Sequence, residues 1–345
     1  MLLARREFLL GSLALPALAA PPQPSILLIV ARDVGTWMLG CAGNRDIQTP
    51  NIDLLAKEGT RMGANFAYSP LRVAETNTLL AAQGYNCGDG NAQAFLDRQS
   101  ADKPFLLTLN LKDEGHARQY DEMYAKSTFD NMGREPTKLA DIVGSLRKRA
   151  AAISAMDAQI PLLLAKLHDR GLRENTLIVF CSTNGALLGR HGLWGDAEAS
   201  DPPNLYEEVV RVPMIWNWPG RIPVESVRNE LVGHYDLLPS LCEATGATPP
   251  AGLFGRSYAQ LAFGKRLPKK QPWQSLVFGR LRDTEMVRDT RYKLVLRNQG
   301  KGPNELYDLA VDPREKVNRF DSPGHISVRE QLTRQMAMFD KTPLR

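Results

Sequence analysis

The chain has 345 residues, 43% apolar and 23% charged, with a formal charge of +5, which gives enough length for one large core plus a smaller unit. Arg5 and Arg6 in a leader supply part of the positive excess, and no Lys/Arg run interleaved with aromatics is present, which argues against a nucleic-acid partner. Four widely spaced cysteines (Cys41, Cys87, Cys181, Cys242) lack zinc-ligand spacing and leave disulfide pairing open.

Residues 1–20 read as an export leader: Arg5-Arg6-Glu7-Phe8-Leu9 has the twin-arginine pattern, an apolar run too short to span a bilayer follows, and Ala17-Leu18-Ala19 fits a cleavage signal. The expectation is a bacterial periplasmic or extracellular protein with no stable membrane span, since no second hydrophobic stretch reaches membrane length. A Pro-rich linker (21–24) leads into a strand at 26–31. Thr49-Pro50-Asn51 opens a helix that Gly59 stops, and a further helix over 78–83 ends at Gly84. Residues 105–109 form a buried strand, and 113–136 read as polar and irregular. A long helix covers about 139–170. Inside it Pro161 would remove a hydrogen bond and clash with the carbonyl of Asp157, at about 3 kcal/mol. Strands follow at 177–181 and 212–216, separated by a Gly-rich loop, and a helix at 235–244 closes at Gly246.

Strands alternating with helices predict an α/β fold over 24–265, a mainly parallel central sheet covered by helices. From 266 to 345 the texture changes. Short strand-like runs (275–279, 285–287, 292–297, 305–308) and a helix at 326–339 predict a small antiparallel sheet with a terminal helix packed on it.

Two dipeptides sit where ligands are held in such sheets, at strand carboxyl ends: Arg32-Asp33 and Thr183-Asn184. Taken in order, the segments Ser25–Asp33, Thr49–Arg61, Ala155–Ile160, Thr176–Gly185, Arg190–Gly195, Val210–Trp216, Trp218–Pro223 and His234–Ser240 resemble the sulfatase family, and Arg291–Leu294 with Glu305–Leu309 resembles its C-terminal subdomain. The resemblance implies the alkaline-phosphatase-like fold and sulfuric-ester hydrolysis. It implies calcium at the strand ends, held by an Asp pair and an Asp-Asn pair, and a Cys or Ser in a C/S-x-P-x-R motif converted to formylglycine, with Lys and His around the sulfate. A sulfated small molecule or glycan would be the partner.

Carried over residue by residue, Asp33 and Asn184 are the remnant metal pair, with Arg32 and Thr183 standing at the other two positions. The nucleophile motif matches Tyr68-Ser69-Pro70-Leu71-Arg72. Tyr68 occupies the nucleophile position, so formylglycine is not expected. Arg72, His116 and His191 are the remaining catalytic candidates, and Arg32 and Arg72 the anion-binding ones. Asp196 stands where a Lys is expected, Gly84–Gly90 has neither Lys nor His, and the resemblance implies that roughly twenty residues are absent between Arg72 and Thr78. Calcium wants 6–8 oxygens, and Asp33 with Asn184 leaves it under-coordinated; Arg32 is expected to pair with Asp33 and take the charge role of the ion.

Blander roles stand beside these. Arg32-Asp33 reads first as a loop salt bridge, then as an anion-site remnant and last as a weak metal site, Arg72 as a capping arginine, His191 as a loop residue, and His234 and Asp157 as structural hydrogen-bonders. Ser69 has no identifiable base. Three functional readings follow: a sulfatase-family protein with weak or absent turnover, an active hydrolase of sulfate or phosphate esters with altered metal ligands, and a non-catalytic anion- or glycan-binding protein.

Overall fold

The computed structural model describes residues 23–111, 118–268, 270 and 272–339. Residues 1–20, expected to be an export leader, and His116 lie outside the described residues. In chain order the first elements are β1 (Ser25–Ala31), α1 (Pro50–Lys57), β2 (Thr60–Met62), β3 (Asn65–Phe66), α2 (Val73–Ala82), β4 (Asn86–Asp89), α3 (Ala92–Leu96) and β5 (Phe105–Asn110). There follow α4 (Arg118–Tyr124), α5 (Ile142–Asp157), α6 (Ile160–Asp169), β6 (Thr176–Ser182), α7 (Glu207–Val210), β7 (Met214–Asn217), β8 (Ser226–Arg228), β9 (Val232–Gly233), α8 (Leu237–Thr245) and α9 (Ala259–Ala262). The last are β10 (Val277–Leu281), β11 (Thr284–Arg288), β12 (Tyr292–Arg297), β13 (Glu305–Asp308) and α10 (Ile326–Phe339).

The central sheet has the order β4-β5-β1-β6-β7-β2-β8. β4, β5, β1 and β6 are parallel to one another, and β7 runs antiparallel to both of its neighbours. The unbroken apolar runs of β1 and β6 follow from burial on two faces. Leu27, Ile29 and Ala31 enter the core on one side with Ile178 and Phe180, while Ile26, Leu28 and Val30 enter the other with Leu177, Val179 and Cys181. All four cysteines are free thiols.

Three expectations need correction. The helix expected over 139–170 is two helices, because the chain breaks at 158–159 and Pro161 sits in the first turn of α6, where a missing N–H costs nothing. Residues 142–169 are together long and apolar enough to cross a membrane, contrary to the expectation of no second such stretch; over half of that apolar window is buried inside this protein as core. The polar stretch 113–136 is not wholly irregular, since α4 lies within it. The break before α6 also explains Asp157. At the end of α5 its carboxylate accepts hydrogen bonds from the N–H groups of Asn51 (3.1 Å) and Ile52 (2.7 Å), capping α1 from a hundred residues away.

β10 to β13 form an antiparallel meander, and α10 lays Leu332, Met336 and Phe339 on Phe278, Val287, Leu294 and Leu306. This sheet meets the α/β part through buried charge. Lys293 on β12, fully buried, donates to the Leu205 carbonyl (2.7 Å) and pairs with Glu315 and with Glu207 on α7 (3.3 Å), which also binds Arg288 (3.1 Å).

Candidate functional site

β1 and β6 are hydrogen-bonded neighbours in register, Ala31 opposite Ser182, so the two strand-end dipeptides emerge side by side. The Thr183 N–H extends the ladder to the Ala31 carbonyl (3.0 Å), and the Ser182 hydroxyl accepts from the Val34 N–H (3.2 Å). Asp33 then turns through the left-handed region (φ 57°), a conformation that aspartate tolerates better than most residues.

The Asn184 side-chain N–H donates to the Asp33 carboxylate at 2.5 Å and to the Gly185 carbonyl at 3.0 Å, while its carbonyl accepts from the Thr183 hydroxyl at 2.9 Å. Arg32 comes only to 3.8 Å from the same carboxylate and its side chain is 77% exposed, so the short contact is made by an amide and not by the expected guanidinium. A screened pair of that kind contributes little. The guanidinium built into the strand end belongs to Arg149 on α5, which donates to the carbonyls of Arg32 (3.0 Å) and Asp33 (2.8 Å). Sequence reasoning missed it. It lies 116 residues from Asp33, in the run Arg147-Lys148-Arg149, where spacing does not say which side chain turns inward.

These residues do not fit a calcium ion. One carboxylate is present, the amide beside it offers its N–H and not its oxygen, and a hard cation needs several converging oxygens. Among the described residues no three His, Cys, Asp or Glu side chains converge where a metal could be held.

Tyr68 also has a left-handed backbone (φ 61°), and its hydroxyl accepts from the Ala197 N–H at 3.4 Å. Burial, with the charges of Asp196 and Asp33 behind it, pushes this phenol well above its usual range, so it stays protonated at neutral pH. The Ser69 hydroxyl beside it is buried with no hydrogen-bond partner among the described residues. Arg72 caps the start of α2 with φ 55° and pairs with Glu75 on the same helix at 3.4 Å. His234, buried between the backbone of Ser182 and Ser69, links the end of β6 to the Tyr68 segment; burial pushes its imidazole down to about 4, which keeps it neutral.

His191 lies elsewhere, on the wall of an open pocket of about 560 Å³. Its ring stacks on Tyr206 (3.7 Å between centroids, planes 7° apart), and its Nε2 faces a carboxylate oxygen of Glu208 at 3.2 Å. Glu208 is 4% exposed and also pairs with Arg190 at 3.1 Å. Burial alone would raise its carboxyl; the His191 hydrogen bond and the His191 and Arg190 charges override that and hold it down at about 2. α7 touches the strand ends through glycine: a Cβ on Gly185 would collide with the Glu208 carbonyl oxygen and the Gly35 Cα.

Comparison with known proteins agrees with this frame. Residues 90–247 match the sulfatase family model, and residues 195–342 match that of the C-terminal region of N-sulphoglucosamine sulphohydrolase. An ulvan-active sulfatase of Formosa agariphila is 23% identical over 92% of this chain and 80% of its own length. Human arylsulfatase A is 29% identical over 64% of this chain, which spans 45% of that relative. Among solved structures, a protein in complex with its substrate D-glucosamine-2-N,6-O-disulfate superposes with a TM-score of 0.78 at 18% identity, covering 93% of this chain and 98% of that one. A phosphonate monoester hydrolase of Agrobacterium radiobacter gives 0.75 at 16% identity, covering 92% and 96%. The chain is thus similar to the sulfatase family along most of its length, with two of its models together spanning residues 90–342, and it shares the fold of the solved sulfatases.

Proposed function

We propose that this sulfatase-family protein recognises a sulfate group on a saccharide at the carboxyl edge of its sheet without hydrolysing it through calcium and formylglycine. The observation that carries the reading is the Asn184 amide donating to Asp33 at 2.5 Å, which satisfies the carboxylate without a cation. Tyr68 supports it: a tyrosine cannot be converted to formylglycine, and its buried phenol is a poor nucleophile at neutral pH. Positive groups of Arg32, Arg72 and Arg149 supply the attraction an anion needs. The names of the ulvan-active and disulfated-glucosamine relatives favour a saccharide as the bearer of the sulfate. The leader at 1–20 favours export, where such saccharides are met.

Hydrolysis of an aryl sulfate and an aryl phosphate, with and without calcium, tests this beside thermal stabilisation by glucosamine 6-sulfate. Stabilisation without turnover is expected. Calcium-dependent turnover that vanishes in Asp33→Ala would overturn it. The His191–Glu208 pair favours one second reading, a hydrolase with altered ligands, because an imidazole held by an ionised carboxylate on a pocket wall is equipped for proton transfer. Calcium-independent turnover lost in His191→Gln would select it.

A further inference from the structure

A second pocket, of about 370 Å³, lies where the turn after β1, the middle of β2 and the end of α7 meet the segment around Arg314. Its lining shares no residue with Asp33, Asn184, Tyr68 or Arg72. Four arginines and two glutamates face it, and their partners can be followed one by one. Glu208 is committed to Arg190 and His191, Glu207 to Arg288 and Lys293, and Arg314 to Glu135. Two guanidinium groups remain without a carboxylate contact among the described residues. Arg211 donates its Nε to a neutral acceptor, the Gly63 carbonyl, at 2.8 Å. Arg61, half-buried on β2, makes no hydrogen bond or ion pair among the described residues. The two feel one another: burial lowers the pKa of Arg211, Glu207 pulls it back up, and the smaller repulsions of Arg288 and Arg61 lower it further. Two like charges held together beside already neutralised carboxylates are costly unless something negative joins them.

A separate observation points the same way. Thr36 lines this pocket, is 6% exposed, and its hydroxyl has no hydrogen-bond partner among the described residues. Buried polar groups are nearly always satisfied, so an orphan hydroxyl in one pocket with two guanidiniums that touch no carboxylate marks a place for a ligand with several acceptor oxygens.

We propose that this pocket binds a sulfate or phosphate group, held by the guanidiniums of Arg61 and Arg211 with the Thr36 hydroxyl as a further donor. The group is either a free anion or one carried on a sugar. The site is independent of the strand-end reading, since a family member with or without turnover can carry it.

Calorimetric titration at constant ionic strength, with chloride as the balancing anion, tests it using sodium sulfate, sodium phosphate and glucosamine 6-sulfate as probes. A saturable component is expected for at least one probe, weakened about tenfold or more in Arg61→Gln and severalfold in Thr36→Val and kept in Asp33→Asn, separate from any component at the strand ends, with the unliganded melting temperature of Arg61→Gln unchanged. Tighter binding of the sugar sulfate than of inorganic sulfate assigns the site to a saccharide; equal binding assigns it to the free anion. No saturable binding of any probe, or isotherms left unchanged by Arg61→Gln, overturns the proposal. Binding lost in Asp33→Asn but kept in Arg61→Gln moves the anion to the strand ends.

Discussion

Asp33 and Glu208 are both carboxylates beside the strand-end loops, one just past β1 and the other on α7, and they are held in opposite ways. The Asp33 side chain is 36% exposed, takes one amide hydrogen bond, and has a cation only at 3.8 Å. Glu208 is buried, takes two charged or chargeable partners at 3.1 and 3.2 Å, and is kept ionised by them. The strand ends are positioned by backbone: the β1–β6 ladder, the Ser182 hydroxyl and the Arg149 bonds to two carbonyls. α7 and the sheet behind it are positioned by charge. A site whose shape does not depend on its charges can lose ligands and keep its fold, whereas the α7 network cannot.

The largest expected effect is in the charged region. Lys293→Met leaves Glu207 and Glu315 buried with one cation fewer, and denaturant unfolding should show a loss of about 3–5 kcal/mol. Next is Glu208→Gln. The folded carboxyl sits at about 2, below its usual 4.5, so its contribution is fully present above pH 4.5 and disappears as pH falls toward 2. Wild type should exceed the variant by about 2–3 kcal/mol at pH 7 and by almost nothing near pH 2, as read from melting curves across that range. Arg149→Met removes two charge-assisted bonds to the strand end and should cost about 1–2 kcal/mol. Smallest is Arg32→Ala, expected within about 0.5 kcal/mol because its pair is exposed. If Arg32→Ala costs more than Arg149→Met, the ranking fails and Arg32 governs the strand end.

The sequence carried the architecture because burial on both faces leaves a plain trace. Ser25–Ala31 and Thr176–Ser182 are apolar without alternation, and parallel neighbours in an α/β sheet must be so. Short edge strands left no such trace: Asn86–Asp89 reads as a turn, with a glycine and two polar residues, yet pairs with β5. Pro161 was legible as a problem but not as a helix start, since the bend that precedes it at 158–159 carries no glycine. At the candidate site, Asp33 and Asn184 were placed together by the resemblance and stand in contact. Arg149, which bonds the Asp33 carbonyl, was not visible there, because it reaches the strand end by tertiary packing from a distant helix. His191 was expected near the sulfate chemistry, and the structure pairs it with Glu208, a residue that spacing alone gives no reason to choose.

Calcium titration by calorimetry, with a chelator-treated sample, tests most directly whether the strand ends are complete without a cation. No binding heat and no change in melting temperature at millimolar calcium are expected, in wild type and in Asp33→Ala alike. Stoichiometric calcium binding to wild type that is lost in Asp33→Ala would mean that the Asn184 amide turns its oxygen to a metal, and the contact on which the functional reading rests would be wrong.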